Sequence, residues 1–152
     1  MKYDISALGN ALVDTQYMVD HDFLDEIGLE ADSMTLASAE EHSPIIDKLQ
    51  SMGVESVSDC GGSATNSLVA ASYYGSKCHH VCRVANDEDG KKYLESLQKA
   101  GVQHIGYSKE DSEMPTGKCL IFVTPDAKRT MSSMLGISCL LYTSPSPRDK
   151  HR

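Results

Sequence analysis

The sequence predicts an α/β fold in which a mostly parallel sheet is covered by helices, and three observations carry that expectation. Short β-prone runs alternate with helix-like segments along residues 3–107, the pattern of parallel strands joined by crossover helices. A glycine pair, Gly61-Gly62, stands at a strand-to-helix junction. Residues 116–135 then abandon the alternation for two β-like runs around Pro125-Asp126, which is a hairpin rather than another strand–helix unit.

Residues 3–8 alternate as a first strand that ends at Gly9-Asn10, and residues 15–19 form a short second strand. A short helix over residues 21–27 is ended by Gly28, and residues 33–36 are again extended. The next helix ends near Met52-Gly53 and places Ile45, Ile46, Leu49 and Met52 on one face. Its start has two solutions. Ser38 with Glu41 is a capping box but leaves Pro44 inside the helix, whereas Ser43 as cap puts Pro44 at the tolerated first position.

A run with Val54 and Val57 leads into Cys60-Gly61-Gly62-Ser63-Ala64-Thr65-Asn66. The following helix, residues 63–74, is rich in small residues, with Ala64, Leu68 and Ala71 at helical spacing, and Gly75 ends it. Residues 78–84 form a strand, and Asn86 caps a helix with Asp87, Glu88 and Asp89 in its first turn, favourable for the helix dipole. Gly101 closes that helix and residues 103–107 are the next strand. The hairpin is expected to join the strands near Thr15 and Ser33 in a small sheet outside the main one. Residues 139–152 are Ser/Pro-rich and basic, and Pro145 and Pro147 remove ladder donors, so they are expected to lie outside the α/β domain of residues 1–138.

Composition narrows the function. A chain of 152 residues is long enough for one domain with a core. A net charge of −8 argues against nucleic acid or an anionic membrane as the main partner. The N-terminal stretch lacks the basic and apolar regions of a signal peptide, and no stretch is long enough to span a bilayer, so a cytoplasmic location is expected. Five cysteines without Cys-x-x-Cys pairs make reduced thiols the expectation. The Cys78-His79-His80-Val81-Cys82 cluster has a zinc-like composition, but two residues four apart in a strand are separated by about 13 Å, too far to share one ion. No metal site is expected.

The chemistry concentrates at the glycine pair. Glycines there allow positive φ and a close ligand, and the first N–H groups of the next helix have no partner within it, a turn suited to hydroxyl or anionic oxygens. Asn66 adds a donor and an acceptor, which suits a sugar hydroxyl. Asn10 and Asp14 stand four residues apart just beyond the carboxyl end of the first strand, where open α/β sheets collect ligands, and could bind a polyol. The alternatives are a tight connection without ligand at Gly61-Gly62 and an Asx turn at Asn10. A dinucleotide site would need Gly-x-Gly-x-x-Gly after the first strand, which Gly9-Asn10-Ala11-Leu12 lacks.

Taken together, Gly9-Asn10…Asp14, Gly61-Gly62…Asn66, Val84…Asp87…Gly90, Ala100-Gly101-Val102 and Thr116-Gly117…Thr124-Pro-Asp-Ala-Lys-Arg-Thr-Met131 resemble the PfkB, or ribokinase-like, family of carbohydrate and nucleoside kinases, over residues 3–138. The hairpin sequence and the Asn-x-x-x-Asp spacing look most like the adenosine-kinase-type branch. The resemblance implies a Rossmann-like body with a small β lid supplied by residues 15–36 and 116–135. It implies that Asn10, Asp14, Gly61, Gly62 and Asn66 bind the hydroxyls of a sugar or nucleoside, with adenosine favoured and ribose or fructose as alternatives. ATP and Mg2+ are implied for the longer parent, and a homodimer through the lid is compatible with the family. The family's catalytic Asp lies in a Gly-Ala-Gly-Asp motif that this sequence lacks, so the chain is expected to be an inactive N-terminal portion with an unrelated tail; a non-catalytic binding module is the other possibility.

Overall fold

The computed structural model describes residues 2–107 and 113–140. The elements run β1 (Ile5–Leu8), β2 (Leu12–Met18), α1 (His21–Glu26), β3 (Met34–Leu36), α2 (Ala39–Ser51), β4 (Ser56–Gly61), α3 (Ser63–Tyr73), β5 (Cys78–Arg83), α4 (Glu88–Lys99), β6 (Gln103–Tyr107), β7 (Gly117–Val123) and β8 (Arg129–Met134), then a 3-10 turn at Gly136–Leu140. The α/β class and the mixed, helix-flanked sheets are as expected. The strands divide differently.

The parallel body sheet has three strands in the order β1-β5-β6. The second sheet has five, in the order β3-β8-β7-β2-β4, and is the larger of the two. As anticipated, the hairpin β7-β8 joins the strands that begin near Thr15 and Ser33. The addition is β4, which pairs antiparallel with β2 from Leu12↔Gly61 to Tyr17↔Ser56 instead of entering the body sheet. Its sequence, Ser-Val-Ser-Asp-Cys-Gly, offers no continuous apolar set, and five of its six residues retain solvent exposure, which suits an edge strand and not a strand buried on both faces.

Two cores follow from the two sheets. In the body, α3 and α4 cover one face, burying Leu68, Cys78, Cys82, Val84, Tyr93, Leu97 and Val102. The alternation along β5 is strict, with Cys78, His80 and Cys82 on the buried side. The opposite body face carries a row formed by Leu8, Val81 and Ile105 across the three strands, and Leu8 and Ile105 stay exposed. In the lid, α1 and α2 pack Phe23, Leu24 and Leu49 against Tyr17, Leu120 and Phe122.

Helix ends account for three smaller differences. Ser38 does cap α2, with the reciprocal bonds to Glu41 both formed, so Pro44 lies inside the helix. Proline there forgoes one backbone bond, and the capping box offsets part of that loss. On the buried face of α2, Leu49 is enclosed and His42 is buried one turn and more before it, donating or accepting at Ser132 Oγ across 2.9 Å, whereas Met52 is exposed. The cap of α4 is Asp87 and not Asn86. Asp87 wins because its two oxygens are taken up together: Oδ1 accepts from the Gly90 N–H at 2.8 Å and the Thr116 hydroxyl at 2.6 Å, and Oδ2 accepts from the Thr116 N–H at 2.8 Å.

That carboxylate joins the two layers. Thr116 sits at the entry to lid strand β7, Asp87 belongs to the body, and the Thr116 hydroxyl in turn accepts from the Ala85 N–H at 2.9 Å. Gly90 is required beside it, because a Cβ there would stand 2.2 Å from the Ala85 carbonyl oxygen. The hydrogen bonds hold the Asp87 carboxyl below its usual range against the opposing effect of burial. Asp87→Ala removes three charge-assisted bonds and a helix cap, and the expected loss is about 2–4 kcal/mol of unfolding free energy in urea. A loss under about 0.5 kcal/mol would show that the clip does not hold the layers together.

Candidate functional site

Asp14 was expected in a loop beyond the first strand, and the structure places it inside β2. The reason is pairing on both sides: Asp14 is opposite Asp59 on β4 and Cys119 on β7. Strand alternation sends Val13, Thr15 and Tyr17 into the buried side and turns Asp14 to the other face of the lid. Asp14 nonetheless meets the glycine pair. A Cβ at Gly61 would lie 2.1–2.3 Å from the three atoms of the Asp14 carboxyl, so only glycine lets that carboxylate lie over the end of β4.

Gly62 makes the turn itself. Its φ of +97° is in the region that disfavours side chains, and a Cβ would stand 2.5 Å from the Asn10 carbonyl oxygen. It caps α3 without a side-chain hydrogen bond, and the Asn66 N–H returns to the Gly62 carbonyl at 2.9 Å. Asn10 and Asn66 are exposed, Gly61 is buried and Asp14 is half-buried. The glycine contacts therefore draw Asn10 and Asp14 to the Gly61-Gly62 turn, and Asn66 follows one turn into the helix.

Residues opposite one another share a face, so the lid surface around Asp14 can be read from the register. One row runs Asp59, Asp14, Cys119, Ser133, Leu36 and the next Val57, Gln16, Ile121, Met131, Met34. The Ser133 hydroxyl donating to Cys119 Sγ at 3.3 Å fits that placement. Exposure is 63% at Leu36, 58% at Met34 and 76% at Val57. The face thus has an acidic corner on β4 and β2 and, across a centre where Cys119, Ile121 and Ser133 are 5%, 3% and 7% exposed, an apolar strip open only at its edges. The sequence named Asp14 but not the strip, because Met34, Leu36, Val57 and Met131 come from three separated segments that only the register aligns.

Burial pushes the Asp14 carboxyl above its ordinary value; Arg129 opposes that shift and Asp59 adds to it. Arg129 reaches the same face through the Met18–Val123–Arg129 alignment. Two clefts of about 650 and 470 Å3 open at the β3 side of the sheet, one bounded by α1, β3 and α2, the other by β3 and residues 113–115 and 133–136, and Leu36 borders both. Neither is lined by the five predicted residues, so it is convergence of side chains and not cavity size that marks this site.

The cysteine pair is structural in its surroundings. Cys78 and Cys82 lie in the body core, and burial pushes the Cys82 thiol up to about 12. A thiol so disfavoured as thiolate is a poor ligand. Among the described residues no group of three or more His, Cys, Asp or Glu is arranged to hold a metal ion, and no helix is long and apolar enough to cross a membrane.

Comparison with known proteins decides the family. The model of the pfkB family carbohydrate kinases matches residues 33–149, well over half of the chain. The chain belongs to the pfkB family. Adenosine kinase 1 of Arabidopsis thaliana is 28% identical over 136 residues, which cover 87% of this chain and 38% of that protein. Among solved structures, adenosine kinase from Sinorhizobium meliloti is 27% identical with a TM-score of 0.76, covering 98% of this chain and 43% of that one. A probable sugar kinase from Rhizobium etli is 27% identical with a TM-score of 0.80, covering 97% and 42%. This pfkB chain therefore spans about two fifths of the length of these relatives. The family match continues past Ser138, while residues 141–152 lie outside the described residues.

For this pfkB chain, Gly61→Ala should displace the Asp14 carboxylate toward water and bring its titration down toward the ordinary aspartate range. Carbon-13 NMR titration of the Asp14 carboxyl reads this directly. An unchanged titration curve would mean that the carboxylate does not occupy the space over Gly61.

Proposed function

We propose that this chain is the acceptor-binding part of an ATP-dependent kinase that phosphorylates a primary hydroxyl of a nucleoside, with adenosine the favoured acceptor. The observation that carries the proposal is the Asp14 carboxylate held over Gly61 on the same sheet face as an apolar strip exposed at its β3 edge, Met34 and Leu36. A sugar alone needs hydroxyl partners; a nucleoside needs those and a flat apolar surface for its base. Asp14 accepts two ribose hydroxyl bonds, Asn10 and Asn66 supply both donors and acceptors, and Leu36, Met34 and Met131 offer the apolar surface. Ribose and fructose would use the acidic corner and leave the strip bare.

Adenosine kinases among the relatives support the same acceptor class. The family relatives support ATP as the phosphoryl donor, Mg2+ is proposed with it, and on this proposal the donor site and the catalytic Asp belong to polypeptide beyond the acceptor part. A division of the chain at Ser138 with an unrelated segment after it belongs to the same proposal, although the 3-10 turn runs on to Leu140 and the family match to residue 149. So does dimerisation through the lid, whose sheet ends in β3 and β4 with Met34, Leu36 and Val57 exposed.

Phosphoryl transfer is catalysed almost wholly by positioning and charge stabilisation, so an acceptor pocket alone leaves the reaction near its uncatalysed rate. Residues 1–152 should consume no ATP above background with adenosine, ribose or fructose. Calorimetry on the same chain should show adenosine binding, weakened at least tenfold by Asp14→Ala, since a hydrogen bond to a charged group is worth about 1.5–3 kcal/mol. Turnover that disappears in Asp14→Ala would place the catalytic parts within this chain. Binding that survives Asp14→Ala would remove the carboxylate from the acceptor site. A non-catalytic binding module predicts the same calorimetry, and differs in that joining the chain to the rest of a family-length kinase would restore no activity.

A further inference from the structure

Behind the glycine turn lies a buried polar cluster that the acceptor pocket does not account for, one member of which, Thr65, stands within the Gly61–Asn66 motif. Thr65 on α3, His80 on β5 and Tyr93 on α4 are all fully buried. Their polar atoms close a triangle: Thr65 Oγ1 to Tyr93 Oη at 2.6 Å, Thr65 Oγ1 to His80 Nε2 at 3.1 Å, and His80 Nε2 to Tyr93 Oη at 3.1 Å. The fourth bond leaves the triangle. His80 Nδ1 lies 3.3 Å from the carbonyl oxygen of Ala7 on β1.

The proton positions follow from elementary valence. A carbonyl oxygen only accepts, so Nδ1 carries the hydrogen and Nε2 is the acceptor. One hydroxyl then donates to Nε2 and the other donates to that first hydroxyl, which satisfies the ring without a net charge. Burial lowers the His80 pKa and keeps the imidazole in this neutral form, with the Ala7 bond working the other way and His104 and His79 adding to the lowering.

What the cluster touches gives it a direction. Ala7 is three residues before Asn10, and Thr65 is the neighbour of Asn66. Between them Gly9 approaches the helix so closely that a Cβ there would lie 2.7 Å from Ala64 Cβ and 3.9 Å from His80 Cε1. The N-terminus of α3 has no capping side chain to fix it. We propose that Thr65 and His80 are positioning residues that tie the first turn of α3 to the end of β1 and so set the spacing of Asn66, Gly62 and Asn10 around the acceptor; Tyr93 completes the ring without carrying that tie. This rests on the acceptor pocket proposed above.

Two near-isosteric changes separate positioning from ordinary core satisfaction. Thr65→Val removes the tether of α3, yet leaves the Tyr93 hydroxyl to donate to Nε2. Tyr93→Phe removes a hydroxyl from the same ring, yet leaves the Thr65–His80–Ala7 tie intact. Each deletes one hydroxyl from one buried ring, so a merely structural cluster predicts similar effects from both.

Positioning predicts that Thr65→Val raises the adenosine Kd of the 152-residue chain about tenfold while Tyr93→Phe stays within about twofold, with comparable thermal midpoints. Exchange of the Asn66 amide, measured without ligand, should accelerate in Thr65→Val only. Equal Kd changes in the two variants, or a wild-type Kd in Thr65→Val when Asp14→Ala abolishes binding, would overturn the proposal. If the unmodified chain binds neither adenosine nor ribose, it is the pocket assignment that fails, and the Asn66 exchange rates decide the tether by themselves: faster in Thr65→Val alone supports it, unchanged or equally faster in both overturns it.

Discussion

The close approach of the Asp14 carboxylate to the backbone of Gly61 is the contact on which the arrangement of this chain depends, because it can form only if β4 lies directly beside β2. That pairing takes β4 out of the body and makes it the outer strand of the lid. It also fixes where α3 begins, since the chain must leave the lid at Gly61, turn at Gly62 with φ +97°, and enter a helix that packs on the body. One strand thus starts in one layer and delivers its helix to the other. The Asp14–Gly61 contact lies at the crossing, where the chain passes from one layer to the other.

Two polar connections lie near the crossing, and they act at different places. Asp87 joins the cap of α4 to Thr116 at the entry to β7, so the hairpin half of the lid is held by hydrogen bonds to a charged group. The Thr65–His80–Tyr93 ring works inside the body and is uncharged. The difference is physical. Asp87 is partly solvated and can remain ionised, whereas the ring is sealed and can bury its polar atoms only because each has a partner. Each lies beside a glycine that close packing requires: Gly90, whose Cβ would meet the Ala85 carbonyl and the Thr116 hydroxyl, and Gly9, whose Cβ would meet Ala64.

The sequence made the strand–helix alternation legible because most apolar positions there follow a clear period, as in β5 with Cys78, His80 and Cys82 inward. It made the turn legible because Gly61-Gly62 has few structural uses other than close approach and positive φ. The second sheet was expected, but the membership of β4 in it was hidden. Ser56–Gly61 has neither the alternation of a half-buried strand nor the apolar run of a central one, so nothing local says which sheet it joins. Asp14 was named for the right turn and the wrong backbone, since a carboxylate in mid-strand contradicts strand propensity and is tolerated only where the face is open. The Thr65–His80–Tyr93 ring left no trace in the sequence, because its members are spread over 28 residues and two helices and a strand, and their one-dimensional pattern is that of three unrelated polar residues.

The ionisation of Asp14 connects stability with binding. Its carboxyl titrates above the ordinary aspartate value, so the folded chain holds that proton more tightly than the unfolded chain does. As pH falls through the raised value toward the ordinary one, the folded state gains stability, and above the raised value the charge is a cost that folding carries. On the proposed function an acceptor would reverse the balance. Hydroxyls that donate to the carboxylate favour its charged form, so they bind best where the empty site is most penalised, and their affinity declines as the carboxyl takes up its proton. Burial within the sheet and beside Asp59 thus makes the charge of this carboxylate costly in the folded chain, and on the proposed function the two adjacent hydroxyls of a ribose would offset that cost.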